Sequence, residues 1–316
     1  MNYSLACRTG CAVAVAAVLV GFAFCTPSQA GTVLLDDTWS DGTRTDTNLP
    51  DESAVYASHD SGVTMAVGSL TYDQTVSSSQ RLATYFTPST GLTIDVGQRL
   101  CVTVDFSPET ALYPSTSRNF RMGLFHDPDD ERVSADGFND SGAGIWDNAL
   151  GYAVQMPLSL SSTPPNPFNI VKRLDNGNST SLLGSNSAYF QTSSGGDPVT
   201  AVLNKDYRIV AELRRKDTNR MDIRFSLFDI DDIGNPALLS THTVINTATA
   251  FDGEEELTGI YTDFDLLAFR FSSNQGTADD LKFTNFKVEY KPIPEPASVL
   301  LLGLGALGMM LWRRRS

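Results

Sequence analysis

The sequence predicts an all-β fold, a single sandwich of two antiparallel sheets over residues 31–291. Three observations lead there. Short segments alternate apolar and polar residues with the two-residue period of a half-buried strand. Clusters of turn residues punctuate them, as in "DNGNSTS", "TSSGGDP", "IDDIGNP" and "SSNQGTADD". Nothing in this region carries the apolar stripe of a long helix, and no repeat of fixed period is present.

Taken in chain order, an opening strand runs into "DTWSDGT", where Trp39 is expected to close the sandwich. "QRLCVTVDFS" puts Leu100, Val102, Val104 and Phe106 on one face and Cys101, Thr103 and Asp105 on the other. "FRMGLFHD" does the same with Phe120, Met122 and Leu124. "GYAVQMPLSL" follows with Tyr152, Val154, Met156, Leu158 and Leu160. "DYRIVAELRRK" and "MDIRFSLFDID" supply Tyr207, Ile209, Ala211 and Leu213, then Ile223, Phe225 and Leu227. Thr218-Asn219 between them reads as a hairpin turn. "TATAFDGEEELTGIY" is read as a turn or two of helix. "FDLLAFRFSS" and "LKFTNFKVEY" finish the sandwich, with Phe286, Val288 and Tyr290 on one side of the last strand.

Both chain ends are of another kind. Residues 1–30 hold Arg8, an apolar run from Cys11 to Phe24 and the small-residue site Ser28-Gln29-Ala30. This is the pattern of a secretory signal peptide cut between Ala30 and Gly31. Cys25 follows Phe24, which is too bulky for the usual lipobox. At the other end, Ala297 to Trp312 carries no charge and would span about 24 Å as a helix. Arg313, Arg314 and Arg315 follow and orient such a helix with its C-terminus in the cytoplasm. An apolar-all-round segment of this kind is poorly suited to a core helix, which is usually amphipathic.

With Pro294-Glu295-Pro296 ahead of the apolar span and the arginines behind it, the last 25 or so residues resemble the PEP-CTERM family of exported bacterial proteins. The resemblance implies recognition by an exosortase at the inner membrane of a Gram-negative-type bacterium. It implies a cut near Pro294-Glu295-Pro296 and delivery to the cell surface or extracellular matrix. Residues 292–316 would then be a transient membrane anchor and an address. The order of elements over residues 31–290 also resembles the concanavalin-like jelly-roll domains of lectins and glucanases. It does so in "VLLDDTWSDGTRTDTNLPDESAVYAS", "FRMGLFHD", "GYAVQM", the "YRIVAELRRKDTNRMDIRFSLFD" hairpin and the closing "FTNFKVEY".

Charge narrows the partners. The chain has 23 basic and 37 acidic residues, a net charge of −14. Without Arg8, the three terminal arginines and Glu295, 19 basic and 36 acidic residues remain, about −17. This argues against nucleic acid or an anionic membrane as a partner. Of four cysteines, Cys7, Cys11 and Cys25 fall in the leader, so Cys101 has no intramolecular partner and reads as a small buried side chain.

Chemistry-bearing motifs are sparse. A retaining glycosidase needs two carboxylates about 5 Å apart, presented from one strand at even spacing. The Glu-x-Asp-x-x-Glu run that serves laminarinase-like members of the fold is missing, and Glu254-Glu255-Glu256 reads as a solvated turn. Polysaccharide lyases of similar fold use a Gln-x-His strand, which is also missing. His59, His126 and His242 stand apart from one another, with no zinc or nucleophile-elbow spacing. "HDPDDERVSADG" offers Asp127, Asp129, Asp130 and Glu131 as oxygen ligands for Ca²⁺, in no EF-hand register; its competing reading is an acidic β-turn. No cofactor is required by anything in the sequence. For glycan, "GAGIWDNALGY" offers Trp146 beside Asp147 and Asn148, with core packing as the competing role of the indole. The expectation is an exported, non-catalytic, glycan-binding sandwich. The alternatives are a carbohydrate-active enzyme of the same fold and a purely structural matrix or adhesion module.

Overall fold

Period-two alternation becomes strand almost everywhere it was read. The computed structural model describes residues 31–73, 79–110, 120–127, 132–138, 146, 148–158, 167–174, 182–184, 188–191, 194–256, 258–272 and 280–293. In chain order the strands are β1 (Thr32–Asp37), β2 (Val55–Ala57), β3 (Val63–Ala66), β4 (Ser69–Asp73), β5 (Ser79–Tyr85), β6 (Leu92–Thr93) and β7 (Gln98–Pro108). There follow β8 (Phe120–His126), β9 (Leu150–Met156), β10 (Asn169–Arg173), β11 (Tyr189–Gln191), β12 (Tyr207–Asp217) and β13 (Arg220–Asp229). The last are β14 (Ala237–Thr247), β15 (Ala250–Phe251), β16 (Glu254–Glu255), β17 (Asp263–Phe264), β18 (Leu266–Ser272) and β19 (Asp280–Pro292).

Two antiparallel sheets hold nearly all of them. The first runs β16-β15-β14-β13-β12-β7-β19-β4-β3, and the second β11-β10-β9-β8-β18-β5-β2. β17 and β6 form a separate pair. Beside β7 on one edge, the long β19 serves two partners in turn on the other: Asp280 to Phe283 pair with β4, and Phe286 to Tyr290 pair with β1. Thr32 therefore lies opposite Tyr290, with the first strand closing onto the last. Residues 31–291 make one compact unit.

The inward faces are those that the alternation named, apart from Leu160, which lies outside the described residues. Leu100, Val102, Val104, Phe106, Ile209, Leu213, Ile223, Phe225, Phe286 and Val288 from one sheet meet Phe120, Met122, Leu124, Tyr152, Val154 and Met156 from the other. An unbroken aromatic cluster sits at the middle: Phe269 stacks on Phe286 at 4.9 Å and Phe283 meets Phe269 at 5.5 Å. Trp39, 1% exposed, meets Phe286 edge-on at 4.9 Å, and its backbone N–H is held by Asp37 Oδ1 at 2.8 Å. Full burial of such side chains contributes roughly 1.5–3 kcal/mol each, and the sandwich is held by this core, with no disulfide among the described residues. Cys101 is free and faces the outer side of β7. Burial, with Glu212 nearby, pushes its thiol up to about 11, so it is not a reactive thiolate at neutral pH.

Two expectations are corrected. "TATAFDGEEELTGIY" is not helical: β15 and β16 form a hairpin across Asp252 and Gly253, both at positive φ as a two-residue turn demands. Glu256 is not solvated with its neighbours. Its carboxylate is 4% exposed and accepts from the fully buried Lys172 Nζ, which also reaches the Gly259 carbonyl. Tyr290 keeps the side of β19 read for it: half-buried, it packs at the margin of the core that holds Phe286 and Val288, and its hydroxyl lies 3.3 Å from Asp95 Oδ2.

Candidate functional site

A cleft of about 620 Å³ opens at the free edge of the seven-stranded sheet. β2 supplies Tyr56, whose partly exposed ring stands between the buried Val55 and Ala57. The 47–54 segment supplies Asn48 and Leu49, the end of β5 leads to Thr87, and Arg132 and Ser134 come from the loop after β8. The rim is fixed by a two-pronged ion pair. Arg44 Nη1 and Nη2 donate to Asp136 Oδ1 and Oδ2 at 2.8 and 2.7 Å. Asp136 Oδ1 also accepts from the Ala57 N–H at 2.9 Å, which ties the 132–138 loop to β2. The Arg44 guanidinium, with the Ala57 N–H assisting, holds the Asp136 carboxyl below the usual carboxylate range.

Behind the cleft lies a buried polar wall. Asp265 is 1% exposed and accepts from the Asp127 N–H at 3.0 Å and from Arg132 Nη2 at 3.2 Å. Arg132 also donates to the Thr87 carbonyl and hydroxyl, and its guanidinium lies 4.2 Å over the Tyr85 ring. The Tyr85 hydroxyl donates to Asp127 Oδ2 at 3.1 Å and accepts from the Val133 N–H at 3.0 Å. Burial raises the Tyr85 pKa well above that of free tyrosine, so it stays a neutral phenol. Asp265 raises the pKa of His126, whose Nδ1 is 3.7 Å from Oδ1. This set superficially looks like acid–base machinery. Its Tyr, Asp and Arg members are instead bonded to each other and fix the wall of the cleft.

The expected sites map onto this as follows. Trp146 is 4% exposed, packs edge-on against Phe138 at 5.0 Å and points its Nε1–H at the Tyr85 hydroxyl, 3.4 Å away. It therefore supports the wall from behind and presents no free ring face. Asn148 is exposed, and Asp147 lies outside the described residues. Asp127 is buried and committed to Tyr85; Asp129, Asp130 and Glu131 lie outside the described residues. Among the described residues no cluster of metal-ligating side chains is present. Gly31 begins the described chain, while Ala30, Pro294, Glu295, Pro296, Arg313, Arg314 and Arg315 lie outside it. Among the described residues no helix is long and apolar enough to cross a membrane.

The outer face of the seven-stranded sheet is not bare. Leu182, Leu183, Val133 and Trp146 pack over Ala83, Phe125, Ala153, Val171 and Ala268 as a second small core. Arg121 and Arg270, neighbours across β8 and β18, both donate to the Leu183 carbonyl, at 2.8 and 2.9 Å. The cleft begins where this cover stops. Sequence reading missed Tyr56, Arg132 and the Arg44–Asp136 clamp, because the clamp spans 92 positions and no local pattern announces it.

No curated protein matches the chain in sequence. Solved structures to which it is similar include peanut lectin with a 9mer peptide, at TM-score 0.41 and 8% identity, over 84% of this chain and 100% of that one. Another is the endo-1,3-beta-glucanase from Streptomyces sioyaensis, at TM-score 0.42 and 11% identity, over 84% and 99%. Lectin I from Ulex europaeus, with the methyl glycoside of alpha-L-fucose, gives TM-score 0.42 and 11% identity, over 81% and 98%. At that level of likeness no site residue is carried across from them. Residues 292–315 match the family model of the PEP-CTERM protein-sorting motif, so the chain is a sandwich that carries a PEP-CTERM sorting signal at its C-terminus.

Proposed function

We propose that this chain is an exported cell-surface or matrix protein whose sandwich binds a glycan in the cleft beside Tyr56, without turning it over. Its parts are a signal peptide over residues 1–30, a binding domain over 31–291 and a sorting segment over 292–316. Signal peptidase acts between Ala30 and Gly31. An exosortase acts near Pro294-Glu295-Pro296 while the apolar span 297–312 holds the chain at the inner membrane.

The observation that carries the binding reading is the composition of the cleft. Its volume of about 620 Å³ suits one small ligand or the end of a chain of sugars. Tyr56 offers a ring face for the C–H side of a sugar, and Asn48, Thr87, Ser134 and Arg132 offer amide, hydroxyl and guanidinium groups for its hydroxyls. The rigid wall behind means that little ordering cost is added on binding. A glycan array probed with the exported chain tests this. Binding is expected, with Tyr56→Ala weakening it about ten-fold. Binding to no glycan, or release of shortened products from a bound one, would overturn the reading.

A further inference from the structure

A second surface, on the outer face of the ten-stranded sheet, carries charge opposite to that of the chain as a whole. Glu212 on β12, its side chain 5% exposed, is gripped by three arginines from three strands. Arg99 Nη1 on β7 lies 2.9 Å from Oε1, Arg214 Nη2 on β12 lies 2.8 Å from both oxygens, and Arg224 Nη2 on β13 reaches Oε2. The arginine side chains remain 23%, 24% and 38% exposed. Burial pushes the Glu212 carboxyl up, and the guanidinium groups outweigh it and hold it below the usual range. With exposed Lys216 two residues beyond Arg214, four cations face one carboxylate, a local charge of +3 on a chain of −14. The neighbouring Arg220–Asp222 pair, at 2.8 Å, adds nothing to it.

The donors also outnumber the acceptors. Three guanidinium groups carry about fifteen N–H donors, against about four lone-pair positions on one carboxylate. Threonines flank the group on the same face: Thr243 stands opposite Arg224, and Thr247, whose hydroxyl is engaged with Ala250, opposite Arg220. Guanidinium forks beside threonine hydroxyls suit a ligand that bears both carboxylates and hydroxyls. We infer that this arginine raft binds an acidic, uronate-type polysaccharide, at a site separate from the cleft and independent of what the cleft holds.

Retention of the exported chain on polygalacturonate tests this, with dextran as the uncharged control and phosphatidylglycerol vesicles as the anionic-lipid control. Retention by polygalacturonate is expected at low salt and lost as salt rises, with none by dextran. Arg224→Gln leaves Arg99 and Arg214 on Glu212 and should weaken retention about ten-fold, while Arg224→Lys restores it only in part, because the fork is lost. Tyr56→Ala should leave it unchanged, which separates this site from the cleft. Should thermal unfolding show that Arg224→Gln does not fold, Lys216→Gln on the exposed rim serves instead and should weaken retention several-fold. Equal retention of wild type and variants, equal retention on dextran, or preference for the vesicles would overturn the inference.

Discussion

Asp136 shows how much one side chain can decide at the rim of the cleft. It accepts two bonds from Arg44 and one from the Ala57 N–H, and the Gly137 N–H adds a backbone bond to the Ala57 carbonyl at 2.9 Å, so the 132–138 loop is tied to β2 from both sides of Ala57. Its folded pKa is depressed below 3.8, so its contribution is complete above that pH and is lost as pH falls through the folded value. Asp136→Asn should cost about 1 kcal/mol at neutral pH, discounted for its partial exposure, and should flatten the acid limb of a stability–pH curve. Chemical denaturation between pH 2 and 7 measures both. A single residue was also where sequence reading failed most plainly. Glu256 looks like its exposed neighbours Glu254 and Glu255, and only the Lys172 side chain, 84 positions away, draws it inside. The contrast with Trp146 is instructive. Its two candidate roles were both visible in "GAGIWDNALGY", and only the location of Phe138 and Tyr85 decides in favour of packing.

Strands were the most legible part of the molecule, because alternation is a local property and burial on one face follows from it. β7, β8, β9, β12 and β13 lie where the pattern put them. What alternation does not reveal is how closely two strands approach. Gly151 on β9 stands opposite Phe125 on β8, and a Cβ there would collide with the Leu124 carbonyl oxygen and lie 2.8 Å from the Phe125 Cα. Backbone cannot yield as a side chain can. Gly151→Ala should therefore cost about 2–3 kcal/mol, whereas Gly123→Ala, which meets chiefly the ring of Phe125 and the Ala153 methyl, should cost less. Comparing the two midpoints in urea measures the difference. The β15–β16 hairpin escaped for another reason: two-residue strands are too short to show any period, so the Asp252-Gly253 turn signal had no alternating flanks, and the positive φ of both residues identifies the turn.

At the scale of the whole chain, the sorting signal was readable because it is a linear order of three parts, while the cleft and the arginine raft are products of tertiary folding. The raft also qualifies what net charge can say. An overall −14 describes the average field, and one sheet face departs from it in sign. If the export reading is right, intact-mass measurement of the protein recovered from outside the cells should give a chain that begins at Gly31 and ends near Pro294-Glu295-Pro296. A mass that retains residues 1–30 or 297–316 would contradict it.

The pairing of β1 with β19 has one more consequence. Because Thr32 faces Tyr290, the backbone enters and leaves the body of the molecule side by side. Apart from that small gap the path of the polypeptide is nearly a loop. Where it is cut open is then a matter of how the gene is written, and the interlocking of the two layers does not depend on it.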